Sequence, residues 1–126
     1  MFLAPTKPLV CQQIKACYHI MGLPEDETAY LEGSVSATKR ELLWKDRRVF
    51  FCTPQTLHND LSAGICDARS VVCVVIDEAH RATSNYSYTT VIQELSRASG
   101  RFRVLALSAT PGSDIRKIQN VSSNLI

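Results

Sequence analysis

Six consecutive apolar residues, Val71-Val72-Cys73-Val74-Val75-Ile76, end abruptly in Asp77-Glu78-Ala79-His80. A short run apolar at every position is the pattern of a strand covered on both faces of a parallel sheet. Parallel neighbours need crossovers of about a dozen residues or more, so the chain around this run should alternate strands with helices. The acids that follow the run are equally constraining. A carboxylate at the tip of a buried strand must be solvated, paired or metal-bound.

The rest of the chain supplies the alternation. Strands are expected at Phe2–Ala4, Thr28–Leu31, Arg48–Cys52, Val71–Ile76 and Val104–Ser108. Helices are expected at Pro8–Met21, Ser36–Lys45, Gln55–Ala63 and Thr90–Ala98, with a last one capped by Ser113 and holding Ile115, Ile118 and Leu125. The first places Val10, Ile14, Cys17 and Met21 on one stripe, with Pro8 suited to its first turn and Gly22 to its end. The second should bury Leu43 and part of Trp44, the third Leu57 and Leu61, and the fourth Val91, Ile92 and Leu95. This rhythm predicts one α/β domain with a doubly wound, mostly parallel sheet, in keeping with 126 residues of which 45% are hydrophobic.

Bulk properties exclude more than they identify. The longest apolar run is far short of the ~20 residues of a membrane span, so no membrane partner is expected. A net charge of +2 is too balanced to identify a polyanionic partner. Five cysteines (Cys11, Cys17, Cys52, Cys66 and Cys73) contain no C-x-x-C pair. That argues against structural zinc and against a disulfide framework, and predicts buried, reduced thiols. Cys11, Cys17 and His19 lack a fourth ligand at a suitable spacing.

In doubly wound sheets, ligands gather beyond the carboxyl ends of the strands. Asp77 and Glu78 stand at one such end. An oxygen ligand there suits Mg²⁺ held together with phosphates, and a second carboxylate can activate a water; capping of the next turn is the plainer alternative. Ser108-Ala109-Thr110-Pro111-Gly112 follows the last strand. Pro5-Thr6-Lys7-Pro8 and Thr53-Pro54-Gln55-Thr56 each place a hydroxyl and free backbone N–H groups at a helix start, suited to phosphate oxygens.

Taken in order, Pro-Thr-Lys-Pro, Gly33-Ser34, Thr-Pro-Gln-Thr, Asp-Glu-Ala-His and Ser-Ala-Thr resemble the first motor domain of superfamily 2 DEAH-type helicases, from Ala4 to Ile126. Leu3–Gln13, Arg48–Leu61 and Val75–Ser113 look most like the Fanconi-anaemia group M (FANCM) and Hef-type DNA helicases. The resemblance implies a RecA-like (P-loop NTPase) fold, with ATP and Mg²⁺ as cofactors. Asp77 would hold Mg²⁺ through water and Glu78 would activate the hydrolytic water. His80 would sit with Ser108 and Thr110, linking nucleotide state to motion. Thr6, Lys7, Gly33, Ser34, Thr53 and Gln55 would grip the backbone of one DNA strand. The implied function is an ATP-dependent DNA helicase or translocase that remodels forks and D-loops in repair and recombination, in the nucleus.

No G-x-x-x-x-G-K-[ST] loop occurs; the nearest stretch, Gly33–Lys39, has Thr38 where the second glycine should be. By the resemblance that loop would precede Met1, and a second motor domain with its arginine finger would follow Ile126. Residues 1–126 are therefore expected to be a partial ATP-binding domain, nearly inert alone and poorly soluble because a missing strand leaves a sheet edge open. A non-hydrolysing nucleic-acid-binding module or truncated product is the alternative, as is an RNA-duplex translocase. Among the remaining polar groups, His58, Asn59 and Asp60 are expected on a solvent-facing helix turn. Lys39-Arg40 and Lys45–Arg48 read as a solvated face and Trp44 as core. Tyr86 and Tyr88 either pack beneath the post-strand loop or stack on a ligand.

Overall fold

A computed structural model describes residues 1–81, 87–98 and 101–109, with the single positions 119 and 123. The expected last helix, with Ser113, Ile115, Ile118 and Leu125, lies outside the described residues, as does Tyr86. Among the described residues five strands form one sheet: β1 (Phe2–Leu3), β2 (Thr28–Tyr30), β3 (Val49–Cys52), β4 (Cys73–Ile76) and β5 (Arg103–Ala106). Their order is β2-β3-β1-β4-β5 and every pairing is parallel. Helices α1 (Lys7–Ala16), α2 (Ala37–Asp46), α3 (Pro54–Ser62) and α4 (Ser87–Ala98) connect them.

The order explains which helix lies on which face. The chain moves outward from β1 to β2, then reverses and runs β3, β4, β5 in the opposite sense. With right-handed crossovers such a reversal puts the connecting helices on opposite faces. Accordingly, among the described residues, α1 packs alone on one face, where Val10 and Cys17 meet Ala4 and Phe51. The other three helices share the second face, where Leu57, Tyr88, Val91, Ile92 and Leu95 close over Leu3, Val74 and Ile76. Each of these large apolar side chains contributes about 1.5–3 kcal/mol by burial.

Three expectations need correction. Val71 and Val72 precede the strand, and Val72 is 73% exposed. Within β4, Val74 and Ile76 are wholly buried but Cys73 and Val75 only partly, because α1 covers the sheet over β1 and β3. Leu105 on β5 is 54% exposed. The apolar run thus records one fully covered face and one partly covered face among the described residues. Met21 leaves the expected stripe of α1 and is 67% exposed. The helix widens into a π turn at Cys17–Met21, which rotates Ile20 and Met21 outward before Gly22 ends it at φ 65°. That left-handed conformation suits glycine.

The cysteines are all free, but not all buried: Cys11 is exposed on the outer side of α1 and Cys73 is half-buried. Burial raises the Cys17 thiol, pushes that of Cys66 up to about 12 and that of Cys52 higher still. No described helix is long and apolar enough to cross a membrane.

Candidate functional site

Because all five strands run the same way, their carboxyl ends share one rim of the sheet. Along it stand, in order, the turn after β2, the start of α3, the start of α1, Asp77–His80 and Ser108.

At the β4 end the backbone is held tightly. Asp77 N–H donates to the Leu3 carbonyl (2.9 Å), prolonging the ladder by one residue. Ala79 N–H donates to the Leu107 carbonyl (2.8 Å), tying the turn to the end of β5. Between them Glu78 adopts φ 54°, a conformation uncommon for a residue with a Cβ and costing about 1–3 kcal/mol. The Asp77 carboxylate supports it, since Oδ1 accepts from Glu78 N–H at 2.9 Å. Its other oxygen, Oδ2, accepts from Gln13 Nε2 at 3.0 Å. Wholly buried Tyr88 donates its hydroxyl to the Asp77 carbonyl at 2.7 Å. Tyr88 therefore packs beneath the loop.

His80 joins the two acidic and hydroxylic elements. Its Nδ1 lies 2.9 Å from Ser108 Oγ and its Nε2 3.2 Å from Glu78 Oε2. A carboxylate acceptor requires Nε2 to carry a proton, so in the neutral ring Nδ1 accepts from the serine hydroxyl. The result is a carboxylate–imidazole–hydroxyl chain spanning β4 and β5. Thr110, the expected third partner, lies outside the described residues.

No cluster of three or more acidic, His or Cys groups suited to a metal occurs among the described residues. One strand-tip carboxylate with a second beside it fits Mg²⁺, which keeps waters and is commonly carried on phosphates. It does not fit an all-protein cage.

The other half of the rim is built from helix starts. Thr6 and Lys7 are exposed at the beginning of α1, where the Thr6 hydroxyl makes no capping bond. Thr53 caps α3, its Oγ1 accepting from Thr56 N–H at 3.4 Å. Exposed Gln55 donates to Asn59 Oδ1 (3.0 Å) and accepts from Ser87 Oγ (3.4 Å). Gly33 and Ser34 form an exposed turn closed by Val35 N–H to the Glu32 carbonyl at 3.1 Å. Ser34 Oγ donates to Glu32 Oε2 at 2.7 Å. The neighbouring Tyr30 hydroxyl, and next the Ser34 hydroxyl, hold the Glu32 carboxyl below its ordinary value.

Behind these loops the polar groups are not where the sequence reading puts them. Asp60 is wholly buried rather than solvent-facing, and the Arg40 side chain is 11% exposed rather than part of a solvated face. They pair at 2.9 Å, and Trp44 Nε1 donates to the same carboxylate at 2.9 Å while its ring packs on Phe50. Burying such an acid is tolerable only with this saturation of partners. Only Asn59 of the expected trio is exposed; His58 Nδ1 lies 3.0 Å from Glu94 Oε1. Arg40 and Trp44, four residues apart, fall on one helix face, a spacing that points to a shared acceptor. Gln13 and Tyr88, which touch Asp77, carry no comparable signal.

The sequence model of the DEAD/DEAH box helicase family matches residues 1–118. The chain is 52% identical over 125 residues to the Fanconi anemia group M protein homolog of Mus musculus, covering 99% of this chain and 6% of that protein. It is 54% identical over 124 residues to the ATP-dependent DNA helicase fml1 of Schizosaccharomyces pombe, covering 98% of this chain and 15% of that protein. The crystal structure of the Pyrococcus furiosus Hef helicase domain superposes with a TM-score of 0.86 at 40% identity, covering 98% of this chain and 26% of that one.

Proposed function

The chain belongs to the DEAD/DEAH box helicase family, and on that premise we propose that it is part of the first RecA-like motor domain of an ATP-dependent DNA helicase or translocase. The observation that carries this reading is the Glu78–His80–Ser108 chain standing on the same rim as the exposed start of α1 and exposed Gln55 at the start of α3. Carboxylates beside a triphosphate manage magnesium and water, while helix N-termini and small loops hold a phosphate backbone without reading bases.

In this reading Glu78 orients and deprotonates the attacking water. Asp77, fixed by Gln13 and by its own neighbour's N–H, would hold Mg²⁺ carried on ATP through water. His80 passes the state of that site to Ser108 and to Thr110. Thr6, Lys7, Gly33, Ser34, Thr53 and Gln55 hold one DNA strand. The bound magnesium supplies charge neutralisation at the phosphates. The phosphate cradle comes from a segment outside residues 1–126, in line with the absence of G-x-x-x-x-G-K-[ST] and with exposed Leu105 on the edge strand β5. Remodelling of branched DNA in repair, in the nucleus, follows from likeness to relatives named as DNA helicases and a Fanconi anemia group M protein homolog.

The test is ATP turnover by the full-length protein carrying this segment, with and without single-stranded or forked DNA. Turnover should rise with DNA, and Glu78→Gln should abolish it while DNA binding persists. Retained turnover in Glu78→Gln overturns the mechanism. Stimulation by RNA duplex alone reassigns the substrate, and a wild-type protein that binds DNA without turnover leaves only a binding module.

A further inference from the structure

The Arg40–Asp60 pair lies behind the rim and joins the Gly33–Ser34 turn to the body of α3. Arg40 Nε donates to the two Asp60 oxygens at 3.0 and 3.1 Å, and Nη2 approaches Oδ1 at 2.9 Å. Nη1 turns the other way and donates to the backbone carbonyls of Val35 and, at 3.5 Å, Glu32. Those two carbonyls flank Gly33 and Ser34. Asp60 belongs to α3, whose first turn presents Thr53 and Gln55.

A guanidinium is planar and offers its N–H groups in a fixed fork, so its grip on one partner sets the direction in which it holds the other. The geometry points to Arg40 and Asp60 as positioning residues. They fix the spacing between the Gly33–Ser34 turn and the start of α3, so that both meet the phosphates of one strand together. This rests on the reading of those loops as a grip on nucleic-acid backbone. An apolar pair could join the helices equally well, but it would place no donor on the turn's carbonyls.

The experiment uses the full-length protein with Arg40→Lys, Asp60→Asn, Gln55→Ala and the Arg40→Lys/Gln55→Ala double variant. Three quantities are read: melting midpoint, binding of a fluorescent single-stranded DNA, and ATP turnover titrated with DNA. Arg40→Lys keeps the charge and loses the fork. It should raise the DNA concentration for half-maximal stimulation about tenfold, as expected when a contact is misplaced by a fraction of an ångström, with turnover at saturating DNA within about twofold of wild type. Gln55→Ala should weaken binding several-fold alone and much less in the Arg40→Lys background, because loops no longer held together cannot act together. Arg40→Lys carries the test if Asp60→Asn does not fold. A lowered melting midpoint with unchanged DNA constants, or penalties that multiply independently, overturns the positioning role alone. No DNA binding by the wild-type protein, or none lost with Gln55→Ala, overturns the reading of the loops and this inference with it.

Discussion

In the proposed reading the two halves of the rim solve different problems with different materials. Over β4 and β5, half-buried side chains hold one another: Glu78 to His80, His80 to Ser108, Asp77 to Gln13. Over β2, β3 and β1, the presented groups are exposed, Thr53 excepted, and the holding is done from behind, by a pair with a wholly buried acid. Proton transfer and metal handling need fixed side-chain geometry shielded from water. A grip that must accept any base sequence needs open backbone N–H groups and small residues. The halves meet at β1, which carries Thr6 beyond its end and accepts the Asp77 N–H through Leu3. With strands about 4.8 Å apart, the whole rim spans about 19 Å from β2 to β5.

The largest effect that separates the halves is Glu78→Gln. It removes the proposed general base while keeping size and shape, so turnover should fall by about 10²–10⁴ and DNA affinity should hold. Parallel measurement of phosphate release and DNA binding checks this. If both fall together, the halves are not separable and the comparison breaks.

Next is Asp60→Ala, which attacks the other half from behind. Removing one partner of a buried pair leaves an uncompensated guanidinium and costs about 3–5 kcal/mol. The melting midpoint of the full-length protein should drop accordingly. A change under about 1 kcal/mol would mean that water reaches Arg40 and that the pair is not the anchor its burial implies.

This same acid marks where the sequence is hard to read. The strands and helices were legible because each rests on local patterning: apolar runs with turn residues between them, and stripes such as Val91, Ile92 and Leu95, which are buried as expected. The residues at the strand tips were legible because a parallel sheet collects them on one edge. Asp60 was not, since His58-Asn59-Asp60 on a helix looks like any exposed turn. What buries it is Arg40 arriving from twenty residues away, a tertiary fact with only a faint trace in the Arg40–Trp44 spacing. Tyr88 was undecidable for the same reason: its hydroxyl partner is a backbone carbonyl, and every residue has one. Val72 shows the converse, an apolar residue whose neighbours suggested burial but whose position lies before the strand that α4 covers.

Gln13→Leu probes the seam between the halves. Gln13 sits on α1, whose start bears Thr6 and Lys7, and its amide reaches Asp77 at 3.0 Å. Loss of that bond to a carboxylate costs about 1.5–3 kcal/mol, and it falls on the coupling rather than on either function alone. The ratio of DNA-stimulated to DNA-free turnover should fall by about tenfold or more, with DNA affinity changed little. An unchanged ratio would show that β1, not α1, carries the connection.

The smallest expected effect is a pH dependence confined to the exposed half. Glu32 receives the Ser34 hydroxyl at 2.7 Å, and its carboxyl is held below the ordinary 4.5, chiefly by the Tyr30 hydroxyl and next by Ser34. A carboxyl with a lowered folded value stabilises the folded state above its unfolded value and loses that contribution as pH falls through the folded one. Wild type should therefore melt slightly higher than Glu32→Gln at pH 6, and the gap should stay constant down to the ordinary 4.5 and close below it. The measurement is the difference in melting midpoint between the two proteins across that range. A gap that persists unchanged well below the ordinary value would mean that the turn is held by Arg40 on its carbonyls alone, which would sharpen the contrast between a half braced from behind and a half braced by its own side chains.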